Sequence, residues 1–267
     1  MGSARFARLL HRFGLPLVLP AALVALWWYT AKDSSSLFYP ALGEVIDALK
    51  EQWLFEQVGS DLVPSLIRLG LGYTLATVLG IAGGLLLGLN PWLQRASQPV
   101  VEFVRAVPPP LLIPFVVVVL SNSGTLSKVV IIALGSVWPV LLNTITGVRS
   151  VDRQMLDMAV SYGVPPRQRL WRITLPGASP HIMVGLRTAL AIAIILMVIS
   201  EMRNTREGVG YRVLEAQRGF DSAGTVAGII VIGVVGVVLN FAFVAVEGRI
   251  MRWYRGSRGL LTTGEGM

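Results

Sequence analysis

The side chains able to do chemistry in this sequence form a short list. The 267 residues contain no cysteine and two histidines, His11 and His181. Disulfides, thiolate clusters and a multi-histidine metal centre are therefore excluded within one chain. A nucleophile–base pair would have to use one of those imidazoles, and each lies where an apolar run meets polar sequence, at the level of lipid headgroups. No G-x-x-x-x-G-K-[ST] stretch is present, so the chain carries no phosphate cradle. Gly208 and Gly210 in "EGVGY" follow no strand and read as a tight turn. What remains are charges within or beside apolar runs, which are rare in lipid and usually paired or functional. Arg68 can snorkel, and Glu102 and Arg105, one turn apart, can satisfy each other. Arg187 can meet an anionic solute or the Glu102 carboxylate. Glu201, with Arg203, Arg206 and Glu207, reads either as a gate and partner contact or as a solvated loop.

The elements that hold these charges are membrane helices. Apolar residues make up 54% of the chain and charged residues 14%, against roughly 25% charged in ordinary globular proteins. The mean hydropathy is +0.66. Apolar runs at 15–31, 64–89, 99–120, 126–148, 181–200 and 225–246 are each about the ~20 residues that cross a bilayer as helix. "IIVIGVVGVVL" at 229–239 is apolar throughout, where a barrel strand would alternate. The fold class is all-α integral membrane, with about six transmembrane helices in a domain spanning 14–248, an N-terminal segment 1–13 and a tail 249–267. The first run follows Arg5, Arg8 and Arg12 as a signal peptide would, but Trp27, Trp28 and Tyr29 close it as an interfacial belt. With both termini inside, 13 of the 23 Lys and Arg fall in cytoplasmic segments and 7 outside. The positive-inside rule therefore places both termini in the cytoplasm and accounts for the basic excess without nucleic acid. The segment 32–61 reads as a polar external loop with an amphipathic helix near 42–55.

Two features within the runs concern packing and passage. Gly80, Gly84 and Gly88 recur every fourth residue, a small stripe that lets helices approach closely in lipid. "VPPPLLIPF" at 107–115 cannot form a regular helix, because its prolines remove backbone donors. Broken backbone at membrane depth must be covered by protein or face water. Pro109, Pro110, Ser136, Asn143, Thr144, Arg187 and Glu201 are therefore the candidates for a translocation pathway, with helix–helix hydrogen bonding as the other reading of the polar ones.

The longest internal polar stretch, 149–179, carries the clearest local signals. Asp152 is placed to cap a helix through Met155, Leu156 and Ala159, and Gly163 stands where a left-handed residue would end it. Pro165 and Pro166 suit the start of a second helix bearing Leu170 and Trp171, which Pro176 is expected to stop. A helix pair with apolar residues on one side and Arg167, Arg169 and Arg172 on the other suits docking to a soluble partner. It suits an anionic headgroup layer equally well.

The spacing Asp157-Met158-Ala159, Gly163, Ile173-Thr174-Leu175-Pro176 resembles the EAA loop of bacterial ABC-importer permeases, with Asp for Glu and Met for the first Ala. "SLIRLGLGY" at 65–73, "VRAVPPPLLIP" at 104–114, "VWPVLLNTITGVRSVD" at 137–152, "LPGASPHIMVGLRTAL" at 175–190 and "ISEMRNTREGVGY" at 199–211 resemble the nitrate, sulfonate and taurine branch. "SNSGTLSK" at 121–128 departs from that branch, which has an aromatic–glycine pair there. The resemblance implies a permease subunit of an ATP-driven importer in the bacterial inner membrane, moving a small anion. It implies two cytoplasmic ATP-binding subunits that bind ATP and Mg, none of which this chain holds. A second permease copy, an external solute-binding protein and membrane lipid are the other implied partners. Met155, Leu156, Asp157, Ala159, Gly163, Arg167, Leu170, Trp171, Leu175 and Pro176 would then form the ATPase-coupling element. A passive channel and a membrane enzyme are the alternatives.

Overall fold

The computed structural model describes residues 15–32, 38–120, 124–203 and 205–257; the segment 1–13 and most of the tail lie outside them. Two compact units are formed, one from 1–59 with 212–231, the other from 60–211 with 232–267. The described residues contain helices and no strand.

In the first unit α1 (Leu15–Ala31) is a 17-residue apolar helix. Trp27 donates its indole N–H to the Pro40 carbonyl at 3.3 Å, and Thr30 and Tyr39 share a hydroxyl hydrogen bond at 2.8 Å. Helix α2 (Leu42–Ala48) opens into wider turns over Leu49–Glu56. Trp53 packs on Gly228, which also meets Val213.

The second unit holds three closely packed helices: α3 (Val63–Leu89), α6 (Thr125–Arg149) and α9 (Leu175–Glu201). Between α3 and α6 come α4 (Pro91–Ala106), a tight turn at Pro109–Leu111 and α5 (Leu112–Val119). The expected third span is thus a bent pair with an angle of 78°, because Pro108 to Pro110 interrupt the hydrogen-bond ladder. Glu102 accepts from Gln98 at 2.9 Å rather than pairing with Arg105. Four helical stretches are long and apolar enough to cross a membrane, five if the bent pair is one span. At 17 residues, α1 is shorter than the others.

The α3–α6 contact follows directly from residue size. A Cβ added to Gly72 would stand 2.7 Å from the Cβ of Ile132, one on Gly80 would stand 2.6 Å from that of Val140, and one on Gly88 2.9 Å from that of Val148; Gly84 meets Thr144 in the same way. Partner numbers rise together, so the two helices run parallel, with one i+4 row on each in contact. Helix α9 runs antiparallel to both. Gly185 of α9 packs on Pro139 and Asn143, and Gly147 of α6 packs on Ala178 and His181. Leu69, Ile132, Ala193, Leu196 and Met197 form a buried apolar cluster among the three helices, close to the end that holds Arg68 and Glu201. Helix α11 (Ser222–Ile250), followed by a short helix at Arg252–Ser257, contributes Glu247, which pairs with Arg187, and Phe243, whose ring lies 5.8 Å from that guanidinium.

One end of this bundle is held by buried charge. Arg68, 2% exposed, does not snorkel. It donates to Glu201 Oε1 at 3.0 Å, to the Glu207 carbonyl at 3.3 Å and to the Glu207 carboxylate. Glu201 is fully buried and also accepts from the Gly210 N–H at 3.2 Å. The Ser65 hydroxyl lies 2.8 Å from Glu201 Oε2 and 2.9 Å from the Asp61 carbonyl. Asp61 accepts from Gly208 N–H at 2.7 Å, and Ser65 accepts from Val209 N–H at 3.0 Å. Three successive amides at the start of α10 (Val209–Arg218) are thereby satisfied. Gly208 has φ +115°, and a Cβ there would stand 2.6 Å from the Glu201 carboxyl carbon. Lys128, counted from sequence as an outside basic residue, is buried in the first turn of α6.

Gly84→Leu should lower the stability of the detergent-solubilised protein by about 2 kcal/mol or more through overpacking, whereas Gly70→Ala, which meets nothing within 4 Å, should not. Equal thermal midpoints for the two variants would refute the α3–α6 register. Arg68→Leu should cost about 3–5 kcal/mol by stranding the buried Glu201, and adding Glu201→Leu should recover much of that loss. Chemical unfolding of the single and double variants measures both; a double variant no better than Arg68→Leu would show that Glu201 is not the stranded partner.

Candidate functional site

The candidate coupling element begins where α6 ends. Asp152 accepts from the Gln154 N–H at 2.8 Å and caps α7 (Arg153–Ser161). Gly163 follows with φ +70°, the left-handed conformation that ends a helix at no steric cost only for glycine. Its neighbours close the turn through Gly163 N–H to Val160 O at 2.9 Å and Val164 N–H to Ala159 O at 2.9 Å. Helix α8 (Pro166–Arg169) then starts with Pro166 at its first position, where no donor is lost.

Pro176 does not stop this second helix. Leu170–Thr174 form wider turns, with Leu175 N–H donating five residues back to Leu170 O, and the helix continues into α9. The extra residue in the turn relieves the clash that a proline ring makes with the preceding carbonyls. Pro166–Glu201 is consequently one 36-residue helical stretch, so the loop 149–179 is joined to the fifth span without a break.

The side chains divide into an inner and an outer set. Ala159 is buried; Leu156, Leu170, Leu175 and Pro176 are half-buried and hold the loop together. Met155, Asp157, Gly163, Arg167 and Trp171 are exposed. So are Met158, Val160 and Tyr162, the last 86% exposed, none of which is among the coupling residues that the resemblance implies. Their signal was available: Met155, Met158 and Tyr162 recur at i, i+3 and i+7 along α7 and the residue that caps its end, next to the line that holds buried Ala159. A polar loop that leaves Met155, Met158, Tyr162 and Trp171 exposed offers large apolar and aromatic side chains of the kind enriched at protein interfaces.

The pathway candidates are not brought together. Ser136 and Thr144 are fully buried on the α6 face that meets α3, and Thr144 bonds back to Val140 O at 2.7 Å. They are interface residues, since the row carrying Ile132, Val140 and Val148 carries them too. Asn143 donates to Pro139 O at 2.8 Å. Arg187 and Glu201 are paired as described. Pro109 packs against Gly135 and Pro110 is exposed. Gly80, Gly84 and Gly88 lie in the α3–α6 contact. Among the described residues no group of acids and histidines is placed to hold a metal.

The family described as the binding-protein-dependent transport system inner membrane component matches residues 76–252. The putative aliphatic sulfonates transport permease protein of Bacillus subtilis is 29% identical over 91% of this chain and 88% of its own. The taurine transport system permease protein of Escherichia coli is 30% identical over 88% and 87%. The bicarbonate transport system permease protein of Synechocystis is 30% identical over 80% and 74%. A solved chain of the inward-facing MetNI methionine ABC transporter superposes with a TM-score of 0.63 at 18% identity, over 75% of this chain and 98% of that one. Permease subunits of ABC importers are not themselves enzymes; the ATPase is a separate subunit. These relatives do not favour the channel or membrane-enzyme alternatives. With about two thirds of its length matched, a bundle of membrane-length helices and an exposed knob continuous with one of them, the chain belongs to the inner membrane components of binding-protein-dependent transport systems, the permease subunits of ABC importers.

Proposed function

We propose that the chain imports a small oxyanion, of sulfonate, taurine, nitrate or bicarbonate type, and that its 149–179 knob is the contact through which ATP hydrolysis drives it. The reading is supported by relatives named for sulfonates, taurine and bicarbonate, which share a compact, oxygen-rich anionic group. The single observation that carries it is the exposure of Met155, Met158, Tyr162 and Trp171 on a loop that runs without a break into Pro166–Glu201.

In this reading two cytoplasmic ATPase subunits hold ATP and Mg, and each receives one knob. Met155 and Trp171 enter apolar pockets, Asp157 and Arg167 pair at the rim, and closure of the ATPases moves the knobs together. The continuous helix carries that displacement into the membrane as rigid-body rocking. Both termini and the knob face the cytoplasm, supported by the 13-to-7 division of basic residues. A second copy, forming a homodimer, covers the exposed apolar side chains Phe103, Leu111 and Phe115 of the bent α4–α5 pair, and an external solute-binding protein delivers the anion.

The pathway runs past the proline turn between two copies. Arg187 is neutralised by Glu247. Arg105, one turn before the prolines, is exposed and has no partner among the described residues. An anion passing Pro109 and Pro110 would meet Arg105.

Replacing Tyr162 and Trp171 together by Ala should weaken copurification of the ATPase subunit by about 30-fold or more, the effect of losing two buried anchors, with membrane insertion unchanged. Undiminished copurification would sink the coupling role. Asp157→Lys should abolish substrate-stimulated ATP hydrolysis in proteoliposomes; normal stimulation would remove Asp157 from the contact. Arg105→Gln should raise the KM for uptake about tenfold, as expected for one charge-assisted contact, while the Arg187→Gln, Glu247→Gln pair leaves it within a factor of three or so. The opposite ranking would move the pathway to Arg187.

A further inference from the structure

We propose that a cleft at the knob end of the second unit is a binding site for the phosphate headgroup of an acidic phospholipid. The cleft has a volume of about 630 Å³ and is formed by the ends of α3 and α6, the first two turns of α4, the first turn of α7 and Thr174. Arg95, Arg149 and Arg153 line it together with Gln94 and Gln98, and no carboxylate does. None of the three guanidiniums has an ion-pair partner among the described residues.

Three unpaired guanidiniums on one concavity repel one another, and an anion placed among them removes that cost. A phosphate group suits them because a guanidinium presents two parallel N–H donors matched to two phosphate oxygens. The helix N-termini nearby do not supply donors: Asn90 Oδ1 already accepts from the Trp92 and Leu93 amides, and Asp152 from that of Gln154. Recognition therefore falls to the arginines.

The source is lipid rather than a soluble anion because of what borders the arginines. Leu89 and Val148, at the ends of two membrane-length helices, form an apolar wall beside them. Trp92, 75% exposed and three residues before Arg95, marks the interfacial level at which aromatic side chains settle. A basic pocket between helices at that level matches acidic headgroups in charge, position and polarity. The site depends on the membrane location of the chain. It does not depend on the substrate or on the ATPase contact proposed above.

Native mass spectrometry of the detergent-solubilised importer, permease with its ATPase subunits, tests this with phosphatidylglycerol and phosphatidylcholine as probes. Wild type should retain phosphatidylglycerol at least about tenfold better than phosphatidylcholine, three arginines near a headgroup being ample for that ratio. R95Q/R149Q/R153Q should lose the preference, and R95K/R149K/R153K should keep most of it, since lysine also holds phosphate as a point charge. The lysine variant guards against misfolding of the glutamine one. Equal retention of both lipids by wild type, an unchanged preference in the glutamine variant, or full displacement by millimolar inorganic phosphate would each overturn the lipid site. Loss of the ATPase subunit from the glutamine variant with lipid retention intact would overturn it too, by assigning the arginines to a subunit contact.

Discussion

Close approach between α3 and α6 is the constraint on which the rest of the second unit is built. Lipid tails are as apolar as leucine, so helices in a bilayer gain little from hydrophobic burial and must find their attraction in packing. The glycines at 72, 80, 84 and 88 bring the α3 backbone against the branched side chains of Ile132, Val140, Thr144 and Val148. Ser136 belongs to the same row and is likewise lost to any passage, its hydroxyl without a partner among the described residues. The parallel direction of the pair also matters: two parallel spans need a return between them, and the bent α4–α5 pair supplies it.

Helix α9 joins the two ends of that frame. The continuous helical stretch of which it is the larger part starts in the knob at Pro166 and reaches Glu201 among the buried charges; its 36 residues span about 54 Å at 1.5 Å per residue. Glu201 holds Arg68 of α3 and the Gly210 amide, so the turn at 208–210 is anchored to the same helix that carries Trp171. A displacement at the knob therefore has a stiff element along which to reach the opposite end, with no flexible joint between.

Much of this was legible because it depends on period and residue type. The glycine stripe, the Asp152 cap and the left-handed Gly163 follow from local rules that hold whatever packs around them. The charged end was harder. Asp61, Ser65 and Arg68 extend the small-residue row of α3 by successive turns, and all are buried, yet treating Arg68 as a lone charge near a helix end suggested snorkelling. Read with the row, its position demands a buried partner. The identity of that partner, 133 residues away, depends on how α9 packs and has no sequence signature. Pro176 misled for a different reason: the rule that proline ends a helix assumes four-residue spacing, and the wider turn at 170–174 escapes it.

The distribution of paired and unpaired cations separates structural from available charge. Within the packed helices, Arg68 is matched by Glu201 and Glu207, and Arg187 by Glu247, as the cost of an isolated charge in lipid requires. Other guanidiniums have no ion-pair partner among the described residues, among them Arg95, Arg149 and Arg153 at the knob end and Arg105 before the proline turn, and these four lie on exposed surface, where water meets that cost. A fixed cation deep in the bundle would hold an anion too well to release it. Leaving the exposed ones unneutralised keeps them free for groups that come and go, and this division follows from desolvation alone.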